Sequence, residues 1–326
     1  MRPAWHADLP DVRDPGRTAQ DRGLAGLFRP PREAQGGRMD TNTTTDTTDT
    51  TTFAVIGATG KTGRRVTALL EAGGHTVRRL ARGTTIRFDW ERPDSWAGAL
   101  DGVDRLYVTY VPDLAAPGAD VVITRLTEVA REAGVRRVVL LSGRGEEGAR
   151  RCEEIVLGSG IPATVVSAGW FTQNFTEGML DSALRTGVLA LPAGDVREPF
   201  ISVDDVAAVA VEALTCDGHA GRRYEVTGPE SLTLAEVAAL LTEITGRDVR
   251  YLPMGFDEFH AAVAAEAGAE TATLLTELCR EVLDGRNETP TDGVRQVLGR
   301  APSDVRTVLT EALAPARPVL VAPSTP

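Results

Sequence analysis

A glycine-rich stretch at residues 55–66, VIGATGKTGRRV, has the residue types and spacing of a phosphate-binding loop. Such loops bind anions because backbone N–H groups and the positive end of a helix dipole point at the ligand. A nucleoside-triphosphate loop requires G-x-x-x-x-G-K-[ST], and Val55 occupies the position of its first glycine. The glycines at 57, 60 and 63 therefore predict the loop of a dinucleotide-binding fold, with a purely structural glycine turn as the alternative.

Each glycine of this loop has its own physical role in the prediction. Gly57 permits a tight turn, Gly60 allows a pyrophosphate to approach the backbone, and Gly63 allows the helix to pack against the strand. Lys61 is the only lysine in the chain, and we expect it near a cofactor phosphate, with a solvated surface lysine as the alternative. The predicted cofactor contacts of the loop are Gly57, Ala58, Thr59, Gly60, Lys61, Thr62 and Gly63.

The end of the second predicted strand distinguishes between the two nicotinamide cofactors. NAD sites place an acidic residue there, about twenty residues after the glycine loop, to bind the ribose 2′-hydroxyl. Here the sequence is RRLARG, which contains Arg78, Arg79 and Arg82 and no acidic residue. Arginine suits a 2′-phosphate, so NADP(H) is favoured over NAD(H), with Arg82 as the best single candidate. The alternative is that these arginines form a solvated edge.

The elements that must position this loop are short apolar runs that alternate with helical patterns from Phe53 onward. The run FAVI (53–56) suits a strand buried on both faces, and the following helical pattern ends in glycines. This alternation predicts an α/β protein with a Rossmann-type, doubly wound parallel sheet. After residue 170 the alternation loosens, which indicates a smaller, mostly helical C-terminal substrate lobe. Further strands of the sheet are predicted at 75–81, 85–90, 105–111, 136–142 and 162–169.

The composition changes along the chain and predicts its segments. The polar tract at 41–52, TNTTTDTTDTTT, cannot bury a core, so residues 1–51 are predicted to be a disordered leader. The residues QGGRM can be encoded by a purine-rich ribosome-binding sequence followed by ATG, which leads to the hypothesis that translation starts at Met39. The alternative is that residues 1–38 are a genuine disordered tail. The remaining predicted segments are a Rossmann-like domain at 52–255 with a cleft segment at 169–200, a helical part of the substrate lobe at 256–314, and a flexible tail at 315–326.

Charge and cysteine usage exclude several classes of partner. The net charge of −11 disfavours nucleic acid, because phosphate binding needs a cationic face. Cys152, Cys216 and Cys279 are odd in number and far apart, which indicates reduced thiols, and no metal-ligand spacing is present. No apolar run approaches the roughly 20 residues that cross a bilayer. We therefore expect a cytoplasmic monomer or homodimer whose partner is a small-molecule substrate.

From about Phe53 to Pro253 the chain resembles the NmrA-like branch of the atypical short-chain dehydrogenases/reductases. The resemblance rests on GATGKTGRRV with its G-x-x-G-x-x-G spacing, RRVVLLSG, SAGWFTQNF and FISVDDVAAVAVEAL. The pieces RFDWERPDSW, YVPDLAAPGA and LLSGRGE are similar to the agroclavine dehydrogenase and festuclavine synthase subgroup, which reduces an iminium carbon with NADPH. The resemblance implies a Rossmann-like fold and NADP(H), and it leaves the substrate open.

The resemblance also implies site residues at the C-terminal ends of the strands. Cofactor contacts beyond the loop are implied for Asp89 and Trp90 at the adenine, and for Tyr110, Val111, Pro112, Ser142 and Gly143 at the nicotinamide. Substrate contacts are implied for Gly169, Trp170, Phe171, Asn174 and Phe175. For the three aromatic residues of this second set, packing in the core is an equally good interpretation.

The usual catalyst of short-chain dehydrogenases is missing from this sequence. Those enzymes use Tyr-x-x-x-Lys, in which the lysine lowers the pKa of the tyrosine. The residues four positions after the four tyrosines are valine, leucine and two glycines, and Lys61 belongs to the cofactor loop, so the separate lysine of isoflavone-type reductases is missing as well. Tyr110, Ser142 or water remain as candidate proton donors.

Two functions agree with these residues. The first is an NADPH-dependent reductase of an electron-poor acceptor, an iminium or a quinone, in which positioning beside the nicotinamide supplies most of the catalysis. The second is an NADP(H)-binding redox sensor without turnover, whose surface changes with the state of the cofactor. The aromatic cleft segment favours the reductase. A sugar epimerase ranks third, because such enzymes also rely on tyrosine and lysine.

Overall fold

Residues 51–178 and 180–314 are described by the computed structural model; the predictions for the leader, for a start at Met39 and for the tail lie outside them. None of the helices in these ranges is both long and apolar enough to cross a membrane.

The strands are β1 (Thr52–Ile56), β2 (Thr76–Ala81), β3 (Ile86–Arg87), β4 (Arg105–Val108), β5 (Arg137–Gly143), β6 (Ala163–Ala168), β7 (Val188–Leu191), β8 (Arg197–Glu198), β9 (Arg222–Val226), β10 (Leu232–Thr233) and β11 (Arg250–Pro253). The α-helices are α1 (Lys61–Ala72), α2 (Trp96–Leu100), α3 (Ala119–Glu132), α4 (Glu147–Leu157), α5 (Ala183–Thr186), α6 (Val203–Thr215), α7 (Leu234–Thr245), α8 (Phe256–Ala267), α9 (Ala269–Val282), α10 (Gly293–Leu298) and α11 (Val305–Leu313).

A seven-stranded parallel sheet in the order β3-β2-β1-β4-β5-β6-β9 organises the fold. The strand order reverses at β1, which pairs with β2 on one side and with β4 on the other. The predicted doubly wound α/β fold is therefore confirmed. In such sheets, ligands bind outside the carboxyl ends of the strands at the point where the order reverses.

Side chains of β1 alternate between two apolar cores, one on each face of the sheet. Ala54 and Ile56 pack with residues of α2, α3 and α4, whereas Phe53 and Val55 pack with residues of α1 and α6. This alternation follows from the two-residue period of a strand. Burial of each large apolar side chain stabilises the fold by about 1.5–3 kcal/mol. The expected burial of FAVI on both faces is confirmed.

A third core builds the smaller lobe. Phe175 and Phe200 pack edge to face with ring centroids 5.2 Å apart, among apolar side chains from α7, α8, α9 and α11. Two small sheets complete the lobe, with β7 parallel to β11 and β8 antiparallel to β10. The mostly helical lobe is confirmed, although the sequence patterns did not reveal β7 and β8.

The third predicted strand is shorter than expected. The prediction covers residues 85–90, whereas β3 contains only Ile86 and Arg87. Phe88 turns into the core, where its ring stacks on Trp96 with centroids 5.5 Å apart. At an edge of the sheet, burial of this ring outweighs further backbone pairing, so the chain leaves the strand after two residues.

Candidate active site

The glycine loop joins β1 to α1 through two close backbone contacts. Gly57 has a φ of +78°, a conformation that favours glycine, and its N–H donates to the Leu80 carbonyl at 2.8 Å. A side chain on Gly63 would overlap the carbonyl group of Gly57. The tight turn and the helix–strand packing that the sequence predicts for these two glycines are therefore present. A phosphate contact at Gly60 stays a prediction.

Lys61 begins α1 and reaches across the loop toward the segment that follows β6. Its Nζ donates to Asn174 Oδ1 at 2.6 Å. Burial, and then the neighbouring Arg64, lower the pKa of Lys61 below its ordinary value. Lys61 is thus a half-buried link between the loop and the predicted substrate cleft rather than a solvated surface lysine. Its contact with a cofactor phosphate stays a prediction.

The three arginines near the end of β2 have different surroundings. Arg78 donates to the carbonyl oxygens of Ala99 and Asp101 at 2.8 and 2.7 Å. Arg79 forms an ion pair with Glu71 on α1, at 2.7 Å. Both arginines therefore hold neighbouring elements in place. Arg82 is exposed in the turn directly after β2, at the carboxyl edge of the sheet.

Aromatic rings line the same edge beside the ends of β3 and β4. The Trp90 ring packs edge to face against Tyr110 with centroids 4.9 Å apart, and against Phe88 at 5.0 Å. Asp89 pairs with Arg87 at 2.9 Å, and its carbonyl oxygen accepts from the Trp96 indole at 2.8 Å. Asp89 and Trp90 thus lie on the Arg82 side of the edge, the side to which the sequence assigns the adenine.

A cavity of about 310 Å³ lies at the carboxyl ends of β4, β5 and β6. Tyr110 borders it, and burial raises the pKa of its hydroxyl, which makes Tyr110 a weaker acid than usual. Ser142 is 5% exposed, and its Oγ has no partner among the described residues. The predicted site residues that line the cavity are Tyr110, Ser142, Gly143, Gly169, Trp170, Phe171 and Asn174.

Several predicted residues lie away from this cavity. Phe175 is fully buried in the third core and does not line the cavity, as expected for the alternative of core packing; its contact with a substrate stays a prediction. The physical reason is the 3-10 helix Thr172–Phe175, which turns Phe175 away from Trp170 and Phe171 and toward Phe200. Val111 and Pro112 are exposed and do not line the cavity.

The far wall of the cavity comes from the helical lobe. Phe259 of α8 and Leu275, Leu278 and Val282 of α9 supply an apolar surface. Cys279 completes this wall, and burial raises the pKa of its thiol to about 12. The thiol stays protonated at neutral pH and is therefore a poor nucleophile. The packing therefore makes parts of α8 and α9 a wall of the cavity.

Two acidic residues that the sequence analysis did not single out also line the cavity. Asp113 follows β4 and Glu146 follows β5. Burial, followed by the neighbouring Asp113, raises the pKa of Glu146 to about 9. Burial also raises the pKa of Asp113. Both residues belong to motifs that the sequence analysis quotes, YVPD and LLSGRGE. Their positions just after predicted strands were the feature of the sequence that could have identified them as site residues.

A third buried acid lies beside the cavity, outside its lining. Glu198 is 3% exposed, and its Oε1 accepts from the backbone N–H of Trp170 at 3.4 Å. Burial raises the pKa of Glu198 to about 7. Glu198 therefore supports the cavity-lining residues Gly169 and Trp170 from behind.

The residues at this edge fit a dinucleotide. Thr59 and Gly60 are exposed at the tip of the loop, and the first N–H groups of α1 have no partner within the helix. These groups would hold the pyrophosphate, and Arg82 would lie near the adenosine end. The unpartnered Ser142 hydroxyl marks the end next to the cavity. When bound, a reduced nicotinamide would supply a hydride at that end.

Comparison with known proteins also indicates a dinucleotide-binding protein. Residues 57–217 match a family model described as NAD(P)H-binding. The NAD(P)H azoreductase of Xenophilus azovorans is 34% identical, over 61% of this chain and 72% of that protein. The agroclavine dehydrogenase of Claviceps fusiformis is 29% identical, over 70% of this chain and 81% of that protein.

A solved structure shares the fold at lower sequence identity. The NADPH-dependent quinone oxidoreductase of Escherichia coli, in complex with NADPH, aligns with a TM-score of 0.68 and 22% identity. The alignment covers 79% of this chain and 99% of that one. At this level of identity the likeness concerns the fold alone. The family model and the azoreductase, which agree with the glycine loop, lead to one assignment. The chain belongs to the NAD(P)H-binding, NmrA-like family of atypical short-chain dehydrogenases/reductases.

Proposed function

We propose that this protein is an NADPH-dependent reductase that transfers a hydride to an electron-poor small molecule, an iminium or a quinone. The observation that carries the proposal is the cavity at the ends of β4, β5 and β6, next to the glycine loop. Its walls are mostly apolar and aromatic, as in sites that bind small organic ligands. Relatives that are named as azoreductase and agroclavine dehydrogenase support acceptors of this kind.

The chemistry of this reductase proceeds without a tyrosine–lysine pair. The Lys61 ammonium group is bonded to Asn174, and the chain has no second lysine. Trp170 and Phe171 orient a flat acceptor, and the wall from α8 and α9 excludes water. Correct placement of the acceptor beside a hydride donor removes much of the entropic barrier.

Arg82 supports NADPH as the cofactor in preference to NADH. The end of β2 has no acidic residue to bind a ribose 2′-hydroxyl, and Arg82 lies directly beyond it. A guanidinium group binds a 2′-phosphate through charge-assisted hydrogen bonds.

Turnover with a panel of acceptors tests the proposal. The purified protein is incubated with NADPH and with quinones and cyclic iminium ions, and oxidation of the nicotinamide is followed by absorbance. We expect consumption above background with at least one acceptor. Tight NADPH binding without turnover across the panel would contradict the reductase and support the redox sensor.

A variant that fills the cavity tests whether the acceptor binds there. Leu275→Trp should block the cavity, lowering turnover at least tenfold while NADPH affinity is retained. Leu252→Trp is the matched control, since Leu252 is 52% exposed and lies outside the cavity. Equal activity of the two variants would show that the acceptor binds elsewhere.

A further inference from the structure

Two carboxyl groups face each other at the polar end of the cavity. Asp113, in the loop after β4, and Glu146, in the loop after β5, line the same cavity close to each other, and the buried Glu146 Oε2 has no hydrogen-bond partner among the described residues. Two ionised carboxylates at such a distance repel each other strongly, and one of them keeps a proton at neutral pH. The two side chains therefore form a carboxyl pair, and one proton held between them relieves this repulsion.

Local packing aims Glu146 into the cavity. The first N–H of α4, at Glu147, donates to Glu281 Oε1 at 2.6 Å, so Glu281 occupies the place of a helix cap. Glu146 makes no capping hydrogen bond. Its carboxyl group packs against Gly143, where any larger residue would overlap it. Asp113 is fixed by the N–H of Ala115, which donates to its Oδ1 at 2.8 Å.

The surroundings of the pair keep its proton in place. Burial and the charge of Asp113 are the largest causes of the raised pKa of Glu146. The negative charges of Glu281 in α9 and Glu153 in α4 raise this pKa further. Among the described residues that line the cavity, none is lysine, arginine or histidine; the titratable ones besides the pair are Tyr110 and Cys279. Arg144 and Arg286 belong to the two loops that meet beside Glu146, but both guanidinium groups are hydrogen-bonded to other residues. Arg144 donates to Glu225 and to the Asn287 carbonyl, and Arg286 donates to Asp284 and to the Gly145 carbonyl.

A ligand is expected at this end of the cavity because Ser142 lacks a partner there. Its Oγ is buried, lines the same cavity and makes no hydrogen bond among the described residues. No group of three or more acidic, histidine or cysteine residues in the described ranges is arranged to hold a metal ion. The acid pair and the Ser142 hydroxyl therefore point to an organic ligand with a polar atom.

We propose that Asp113 and Glu146 share one proton and that Glu146 donates it to a neutral acceptor, such as a quinone, at the atom that becomes anionic on reduction. This inference rests on the proposed reductase function. A quinone that has taken up a hydride is a hydroquinone anion. The Glu146 O–H bond breaks, the proton adds to the anionic oxygen, and a neutral hydroquinone leaves. The Glu146 carboxylate, repelled by Asp113, then regains a proton from water.

The kinetic test compares two acceptors in a Glu146→Gln variant. A quinone needs a proton after hydride uptake, whereas an N-methyl iminium ion becomes a neutral amine without one. We expect the ratio of quinone to iminium turnover to fall about a hundredfold, chiefly in kcat, because general acid catalysis contributes at least that factor. Wild-type quinone turnover should also fall at alkaline pH, as the pair loses its proton, and the variant should lose this dependence.

Glu147→Gln is the matched control, since Glu147 is the exposed neighbour that lies outside the cavity. An unchanged ratio in Glu146→Gln, or an equal fall in the control, would overturn the donor role.

An infrared measurement tests the shared proton without turnover. Wild-type protein at neutral pH should show a carboxylic acid C=O band that Glu146→Gln loses and Glu147→Gln retains. Absence of the band in the wild type would contradict the proposal that Asp113 and Glu146 share a proton. If the band is present but neither acceptor is turned over, the reductase function fails, and the donor role fails with it.

Discussion

Individual residues at the carboxyl edge act through very close contacts. Gly63 and Gly57 allow two stretches of backbone to touch, and Lys61 links this loop to Asn174. These positions tolerate little change, because an added atom has no free space and a lost one leaves a buried polar group without a partner. Two predictions belong to this scale.

Gly63→Ala should destabilise the protein and weaken cofactor binding. The added methyl group would overlap the Gly57 carbonyl and force α1 away from β1. We expect the free energy of unfolding to fall by about 1–3 kcal/mol and the NADPH dissociation constant to rise. Urea unfolding and fluorescence titration measure the two effects. Gly98→Ala is the control, since Gly98 lies in α2 with open space around it, and it should be neutral or stabilising. A stable Gly63→Ala protein with unchanged affinity would contradict the packing role.

Arg82→Asp should weaken the binding of NADPH much more than that of NADH. The substitution replaces an attractive charge by a repulsive one where a 2′-phosphate is expected, and NADH has no such phosphate. We expect a loss of at least tenfold in NADPH affinity, measured by titration with both cofactors. The charge-matched control is Arg247→Asp, in the exposed turn after α7. Equal weakening for both cofactors would exclude the 2′-phosphate assignment.

At the scale of elements, the segment after β6 is fixed by the N-terminus of α6. Ser202 caps this helix, and its Oγ accepts from the Asp204 N–H at 3.2 Å. Gln173 bonds both sides of the same terminus, accepting from the Val203 N–H at 2.9 Å and donating to Ser202 at 3.2 Å. Asp205, in the first turn of α6, is buried and pairs with Arg300 at 2.6 Å.

Gln173→Ala should therefore loosen the cavity wall that contains Trp170 and Phe171. The substitution leaves the buried Val203 N–H without a partner, which costs about 1–3 kcal/mol in the free energy of unfolding. Urea unfolding measures that loss, and limited proteolysis should show faster cleavage between residues 169 and 182. Gln296→Ala on the exposed face of α10 is the control. An unchanged cleavage rate would mean that other contacts hold the segment.

At the scale of the whole molecule, buried acids couple the stability of the fold to pH. Glu198 has an ordinary pKa of 4.5 and a folded pKa of about 7, so the folded protein holds a proton that the unfolded chain releases. Stability from this group is therefore complete below about pH 4.5 and is lost as pH rises toward 7 and above. Glu146 acts in the same direction over a wider range, up to about pH 9.

Glu198→Gln should remove part of this pH dependence. Relative to the variant, wild-type protein should lose on the order of 3 kcal/mol of unfolding free energy between pH 4.5 and pH 8. Chemical denaturation at several pH values gives the difference. Glu230→Gln, in an exposed turn, is the control and should parallel the wild type. A variant curve that runs parallel to the wild type would show that folding does not shift the pKa of Glu198.

The sequence by itself determined the elements and the kind of loop. The strand and helix periods predict the doubly wound sheet, and the glycine spacing predicts the turn, because both depend on residues close together in the chain. The sequence alone also shows that no tyrosine is followed four residues later by a lysine.

Only the tertiary structure decided which distant residues meet. Lys61 reaches Asn174, Phe175 packs into the core rather than the cavity, and α8 and α9 close the far wall. Asp113 and Glu146 form a pair because β4 and β5 are adjacent in the sheet, so the loops that follow them meet at one edge. Local patterns cannot predict such contacts, since these depend on how side chains fill space between elements far apart in the chain.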